Sequence, residues 1–400
     1  MKAPEPDPTA LRGVRILDFT RVLAGPFATK ILADFGAEVI KVQSKKMARG
    51  SEANMGPHFN IWNRNKRSIT LNMNYAEARK LALRLVAISD VVIENFSPRV
   101  MSNWGLNYDT LRAAKPDLIM ASLSGMGQTG PWKNYVAFGA TVQALGGLTY
   151  LTSYDKNTPM GPGYAYADAI SGLYGALAVL GALDYRDRTG KGQFIDLSEY
   201  EAVVSLIGPA LLETIASESE LFPNGNQSDY EMAAPYGCFR CQGSDQWCVI
   251  AVFNEAQWQS LCSALLHPQG IDTKKFSSMS QRKKYAKELD ERIEHLTSQY
   301  PAAKLVELLQ AAGVPAGVIQ NAEDLAQDSH LLARDYYIRL PHPELGETIS
   351  DRSPIRFSED VAKTWKAAPS LGEANPYVFI DLMGLTESEY ASYVDRGIIA

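Results

Sequence analysis

Short β-rich runs alternating with helix-like stretches predict an α/β fold, in which a parallel sheet is covered by helices and followed by a smaller α+β unit. The runs lie at 14–19, 38–42, 91–94 and 118–122, with helical stretches at 24–35 and 76–88. A second observation is the apolar, Gly- and Ala-rich segment 169–183. Its Ile170, Leu173, Leu177 and Leu180 recur at helical spacing, and Gly172, Gly175 and Gly181 permit a close neighbour. A third is the break in composition at FPNGNQSDYEMAAP, which reads as a crossing between domains. The large unit is therefore placed at 1–220, the crossing at 221–235 and the small unit at 236–325.

In the small unit, two strands flank the turn Gln242 to Asp245, where Gly243 supplies a permissive backbone, and helices are expected at 255–266, 280–297 and 302–312. The charged run QRKKYAKELDERIEH is a solvated helix face. Residues 326–400 contain the His342-Pro343 turn, a strand-like stretch at 355–357 and a last helix at 387–396. The large unit is Rossmann-like, but no GxGxxG is present. Leu23-Ala24-Gly25-Pro26 is a poor pyrophosphate cradle, which argues against a nicotinamide enzyme.

Bulk properties narrow the class further. At 400 residues and 46% apolar composition the chain can build a large core, and a net charge of −6 disfavours nucleic-acid or membrane-surface binding. The start MKAPEPDPTALRG lacks the plan of a secretory signal, and segment 169–183 is shorter than the roughly 20 residues that span a bilayer, so a cytoplasmic protein is expected. Cys238 and Cys241 form a CxxC with Cys248 following, but a fourth ligand at regular spacing is lacking. These cysteines read as small, partly buried strand residues, and no metal is expected.

Asp168, in YADAISGLYGA, stands at the start of the apolar helix with no paired cation nearby in sequence. Locally it reads either as an N-cap or as a nucleophilic carboxylate. The wider sequence favours the second reading. RDRTGKGQFIDLSEYEA follows the helix, and LRGVRILDFTRVLAGPFATKILADFGAEVIKV, NRNKRSITLN, VIENFSP, LSGMGQTGP and AGVPAGVI lie elsewhere along the chain. Together and in this order they resemble the class III CoA transferases, the formyl-CoA transferase and carnitine CoA-transferase family, over about residues 10 to 385.

The resemblance implies that Asp168 is the covalent catalyst, forming aspartyl-acyl anhydride and aspartyl-CoA thioester intermediates. It implies coenzyme A as a substrate carried by an acyl-CoA, with no tightly bound cofactor. Residues 326–400 would return to the large domain, and two subunits would interlock as a homodimer or as a heterodimer with a homologous chain. The matched CoA positions are Leu23 and Ala24, Leu71, Asn72 and Asn74, and Asn95, Phe96 and Ser97; Lys45, Lys46 and Arg99 are the nearby candidate cations for phosphate, with Lys45 and Arg99 taken as the CoA contacts. Asn224 to Ser228 stands where the family carries a glycine-rich lid, and reads equally as a plain linker.

This chain departs from formyl-CoA transferase at several positions. Ser44, Asn103 and Val136 replace basic CoA contacts, Leu23 replaces a glutamine and Gly139 a glutamate, which argues against formate and oxalate as substrates. Phe138, Gly139, Tyr164 and Tyr166 are the expected substrate pocket, suited to a larger, partly apolar acid such as an aryl- or alkyl-succinate with succinyl-CoA as donor. The alternatives are a 2-methylacyl-CoA racemase, which needs a histidine where Phe138 stands, and a subunit of a heteromeric transferase.

Overall fold

A computed structural model describes residues 9–217, 222–223, 225–226, 232–265, 274–358 and 365–400. It divides into two compact units: Met1–Leu151 with Gly161–Leu221 and Leu332–Ala400, and Thr152–Met160 with Phe222–Leu331. The second unit takes in Thr152–Met160, a stretch that the sequence reading left within 1–220.

The first unit is built on β1 (Arg15–Asp18), β2 (Glu38–Gln43), β3 (Arg67–Thr70), β4 (Val91–Glu94), β5 (Ile119–Ser124) and β6 (Phe194–Ser198), paired in parallel in the order β3-β2-β1-β4-β5-β6. Sequence periodicity missed β3, which is only four residues long, and β6, whose alternate residues are exposed. Helices α1 (Ala24–Asp34), α2 (Pro57–Asn63) and α3 (Ala76–Ala87) follow the first strands. Successive strand residues point to opposite faces. Ile16, Val39, Val91 and Ile119 therefore pack with α1 and the helix Tyr166–Thr189, whereas Leu17, Ile40, Ile69 and Val92 pack with α3.

The helix Tyr166–Thr189 runs beyond the apolar segment read from sequence at both ends, and its length and composition would suffice to cross a membrane. Ala176, Val179, Ala182 and Leu183 bury one face in the core, while Leu173, Leu177 and Leu180 are exposed on the other.

The second unit holds the antiparallel sheet β7 (Tyr236–Arg240), β8 (Trp247–Ala251) and β9 (Ala316–Val318), with a core that includes Trp258, Leu261, Ile293 and Leu305. The expected 280–297 helix is two helices, Met279–Lys284 and Ala286–Thr297, broken at Tyr285 where ψ turns to 30°. Cys241 and Cys248 are buried on the β7–β8 hairpin and Cys238 is half-buried.

The last segment rejoins the first unit through the antiparallel hairpin β10 (Tyr337–His342) and β11 (Gly346–Asp351). Asp351 receives Lys30 Nζ at 2.7 Å. Farther on, Asn375 Oδ1 accepts the Thr70 N–H at 2.8 Å and the Ile398 carbonyl accepts the Asn72 N–H at 2.9 Å, covering the edge strand β3. The stretch 355–357 is not a strand. Ile355 and Phe357 are exposed, and Phe357 meets Phe35 edge-on, ring centroids 5.4 Å apart.

Candidate active site

The strand order reverses between β1 and β4, and in open parallel sheets ligands bind beyond the carboxyl ends of the strands at such a point. Asn95, just after β4, spans the crevice: its Oδ1 accepts the Arg21 N–H at 2.8 Å and its Nδ2 donates to the Arg21 carbonyl at 2.9 Å. Val22 follows with φ of 64°, unusual for a β-branched residue, and its N–H donates to Glu52 Oε1 at 2.7 Å. Beneath this loop, Asp18 accepts from Thr20 Oγ1 at 2.5 Å, Thr29 Oγ1 at 2.7 Å and Lys66 Nζ at 3.2 Å. Burial brings the Lys66 ammonium down to about 7 against the pull of Asp18. The lysine of NRNKRSITLN thus ties down the β1–α1 loop.

Asp168 is the third residue of its helix; the N-cap position belongs to Ala165, which makes no side-chain cap, so Asp168 is not the N-cap residue. Small residues bring it against α1. A Cβ on Gly172 would lie 2.8 Å from the Ala24 carbonyl, so glycine lets the two helices close together here. Burial raises the Asp168 pKa above the ordinary carboxylate value, while the backbone N–H groups of Ala24 and Asp168 and the charge of His58 pull it down. The starts of α1 and of the Asp168 helix therefore both turn their amides toward this carboxylate, an arrangement that favours an anion. Across from it, a Cβ on Gly139 would stand 2.1 Å from Asp168 Oδ2.

Of the expected pocket residues, Gly139 lies against Ala165, the residue between the two tyrosines: a Cβ on it would stand 3.2 Å from Ala165 Cβ. Phe138 is exposed just before the helix Gly139–Leu145, and Tyr164 meets Tyr166 edge-on at 5.7 Å. The Tyr164 hydroxyl is raised by burial and then by the negative charge of Asp168.

The expected CoA positions share the carboxyl edge of the sheet, but several cannot offer side chains. Leu71, Leu23 and Ala24 are buried, leaving only backbone to a ligand, and both ends of the Asn95 amide are spent on Arg21. Phe96 packs edge-on against Trp104 at 5.4 Å, with the Arg21 guanidinium 5.3 Å from its ring centre. Asn72 is half-buried, while Lys45, Asn74, Ser97 and Arg99 are exposed. Asn224, Gln227 and Ser228 of the expected lid lie outside the described residues; Gly225 and Asn226 belong to the second unit.

Sequence reasoning missed two groups. His58, on α2, acts on the Asp168 charge, and its Nδ1 is buried with no hydrogen-bond partner among the described residues. Glu199, at the start of the helix Glu199–Leu206, is 7% exposed. Its carboxyl is pushed up to about 8 by burial and by Asp168. A glutamate ahead of the apolar AVV in SEYEAVV was the available signal for it.

Comparison with known proteins shows the family. The model of CoA-transferase family III matches residues 11–375. A succinyl-CoA–D-citramalate CoA-transferase of Chloroflexus aurantiacus is 33% identical over 98% of this chain and 98% of its own. A succinyl-CoA:glutarate CoA-transferase of Mus musculus is 31% identical over 97% of this chain and 90% of its own. A CAIB/BAIF family protein from Brucella suis superposes with a TM-score of 0.85 at 32% identity, covering 94% of this chain and 99% of the other. With the family model and full-length relatives in agreement, the chain belongs to CoA-transferase family III, and is a CoA-transferase.

Proposed function

We propose that this enzyme moves CoA from succinyl-CoA to a second dicarboxylic acid, a substituted succinate, with Asp168 as the attacking carboxylate. The reading is supported by the setting of Asp168: half-buried, faced by backbone amides, and packed against Gly139, where any side chain would displace its Oδ2.

Asp168 attacks the donor thioester carbonyl; the C–S bond breaks, leaving a mixed anhydride and CoA thiolate. The thiolate attacks the aspartyl carbonyl of that anhydride and expels the donor acid, leaving an aspartyl-CoA thioester. The acceptor carboxylate displaces the thiolate to form a second anhydride, and the thiolate then takes the acceptor acyl group and restores Asp168. Several easier displacements replace one hard exchange. The amides around Asp168 are suited to the oxyanion of each step, where one such donor is worth roughly 3 to 4 kcal/mol.

Succinyl-CoA stands in the names of the relatives from Chloroflexus aurantiacus and Mus musculus. Citramalate, named in the first of these, is itself a substituted succinate. Here Phe138, Tyr164 and Tyr166 supply an exposed aromatic wall for an alkyl or aryl substituent. Mass spectrometry of products from succinyl-CoA and a panel of malate, citramalate, glutarate and phenylsuccinate tests the assignment. CoA esters of the substituted succinates are expected; transfer to none of these acids contradicts it.

We also propose that the enzyme works as a homodimer. Leu177 is 64% exposed, and Leu212 and Ile215, on the helix Gly208–Ser217, are 67% and 66% exposed. Apolar faces of this kind call for a partner, and a second copy supplies one.

A further inference from the structure

We propose that the Glu199 carboxyl donates a hydrogen bond to the oxyanion formed each time the Asp168 centre is attacked, a role resting on the reading of Asp168 as the attacking carboxylate. The placement comes from a small apolar cluster. Val142, Ala167 and Val203 pack together with Tyr200 at their margin. Val142 lies one turn beyond Gly139, Ala167 immediately precedes Asp168, and Val203 lies one turn beyond Glu199, so one cluster joins the starts of the helices that carry these residues. The fit is close: a Cβ on Gly146 would lie 2.5 Å from Val203 Cγ1, and the buried Gln143 Oε1 accepts the Ala167 N–H at 3.2 Å.

Charge explains the state of the group. Among the described residues no cation pairs with Glu199. The ionisable groups on the elements packed around it are Tyr166, Asp168 and Tyr174 on the long helix, with Asp184, Tyr185, Arg186, Asp187 and Arg188 in its last turns, Asp196 on β6, and Tyr200 and Glu201 on its own helix; the helix Gly139–Leu145 carries none. Of these, Asp168 acts on it, and burial and that negative charge hold its pKa at about 8. At neutral pH the site therefore holds one proton between two carboxyls, on Glu199, and Asp168 keeps the charge it needs to attack. As Asp168 is consumed the negative charge passes to the carbonyl oxygen of the tetrahedral species, where an O–H donor forms a short charge-assisted bond. No proton is transferred in the cycle; the Glu199 hydrogen is shared and retained.

The test is the pH profile of exchange of isotope-labelled succinate into succinyl-CoA by wild type, Glu199→Gln and Glu199→Ala, each checked for fold by circular dichroism. Wild-type kcat should fall as pH rises through about 8. Glu199→Gln, a weaker donor that cannot ionise, should lose up to about tenfold at pH 7 and show no alkaline fall; Glu199→Ala should lose about a hundredfold or more. An alkaline fall retained in Glu199→Gln, or wild-type kcat in Glu199→Ala, overturns the proposal. Infrared titration separates this from the donor assignment. A neutral-carboxyl band at pH 7, absent in Glu199→Gln and titrating at lower pH in Asp168→Asn, supports the role of Glu199 even if labelled succinate fails to exchange, a failure that would count against the donor alone. Absence of that band in wild type overturns the role of Glu199.

Discussion

Gly139 leaves the space that Asp168 Oδ2 occupies: a Cβ at that position would come within 2.1 Å of the carboxylate oxygen. Real Cβ contacts are never that short, so any larger residue must displace the carboxylate. Gly139→Ala should fold normally and lose about a hundredfold in kcat, the usual cost of misplacing a reacting group by about 1 Å. Steady-state kinetics with a circular dichroism check measure this. An alanine enzyme with unchanged kcat would show that Asp168 can act from another position.

His58 tunes the same carboxylate. Burial raises the Asp168 pKa and the His58 charge lowers it, so His58→Gln removes a downward pull and leaves Asp168 protonated to higher pH. The acidic limb of kcat/KM should move to higher pH, with the largest loss at the acid end and little change on the alkaline side. A pH–rate profile decides; an unmoved acidic limb would mean that His58 does not act on the attacking group.

Asn95 clamps the loop that leads into α1 by its paired bonds to Arg21 at 2.8 and 2.9 Å. Asn95→Ala strands both backbone groups at a cost of about 1–3 kcal/mol and frees the loop around the strained Val22. The KM for acyl-CoA should rise about tenfold, with a lower midpoint in thermal unfolding. Unchanged KM with lowered stability would confine Asn95 to a structural role.

The exposed apolar residues of the long helix and its successor predict association. Leu177→Glu combined with Leu212→Glu should shift the protein from dimer to monomer or aggregate in size-exclusion chromatography with light scattering. A wild-type monomer at micromolar concentration would contradict the dimer.

The parts of this site legible in sequence are those with a local signature. Hydrophobic alternation marked β1, β2, β4 and β5, and the motifs around Asp168 and Asn95 placed both at the ends of regular elements. Gly139 was singled out as a substitution for a glutamate, but its contact with Asp168 depends on how two helix starts meet. His58 and Glu199 were missed because each stands on a different helix from Asp168, and one sequence carries no trace of distance in space. Leu71 and Leu23 matched CoA positions by motif, yet their side chains went to the core, as apolar residues at strand ends do when a helix covers them. The stretch 355–357 has a strand-like pattern but forms no strand, since pattern alone cannot supply a pairing edge.

Whether Asp168 becomes covalently modified during turnover decides its role as the attacking group. The protein is incubated with succinyl-CoA and no acceptor, treated with hydroxylamine, digested and mapped by mass spectrometry. Thioester and anhydride are both far more electrophilic than a free carboxylate, so a hydroxamate is expected on Asp168, in the peptide spanning Tyr166 to Tyr174, and none in Asp168→Asn. Modification confined to another residue, or rapid CoA transfer by the Asp168→Asn protein, would contradict it.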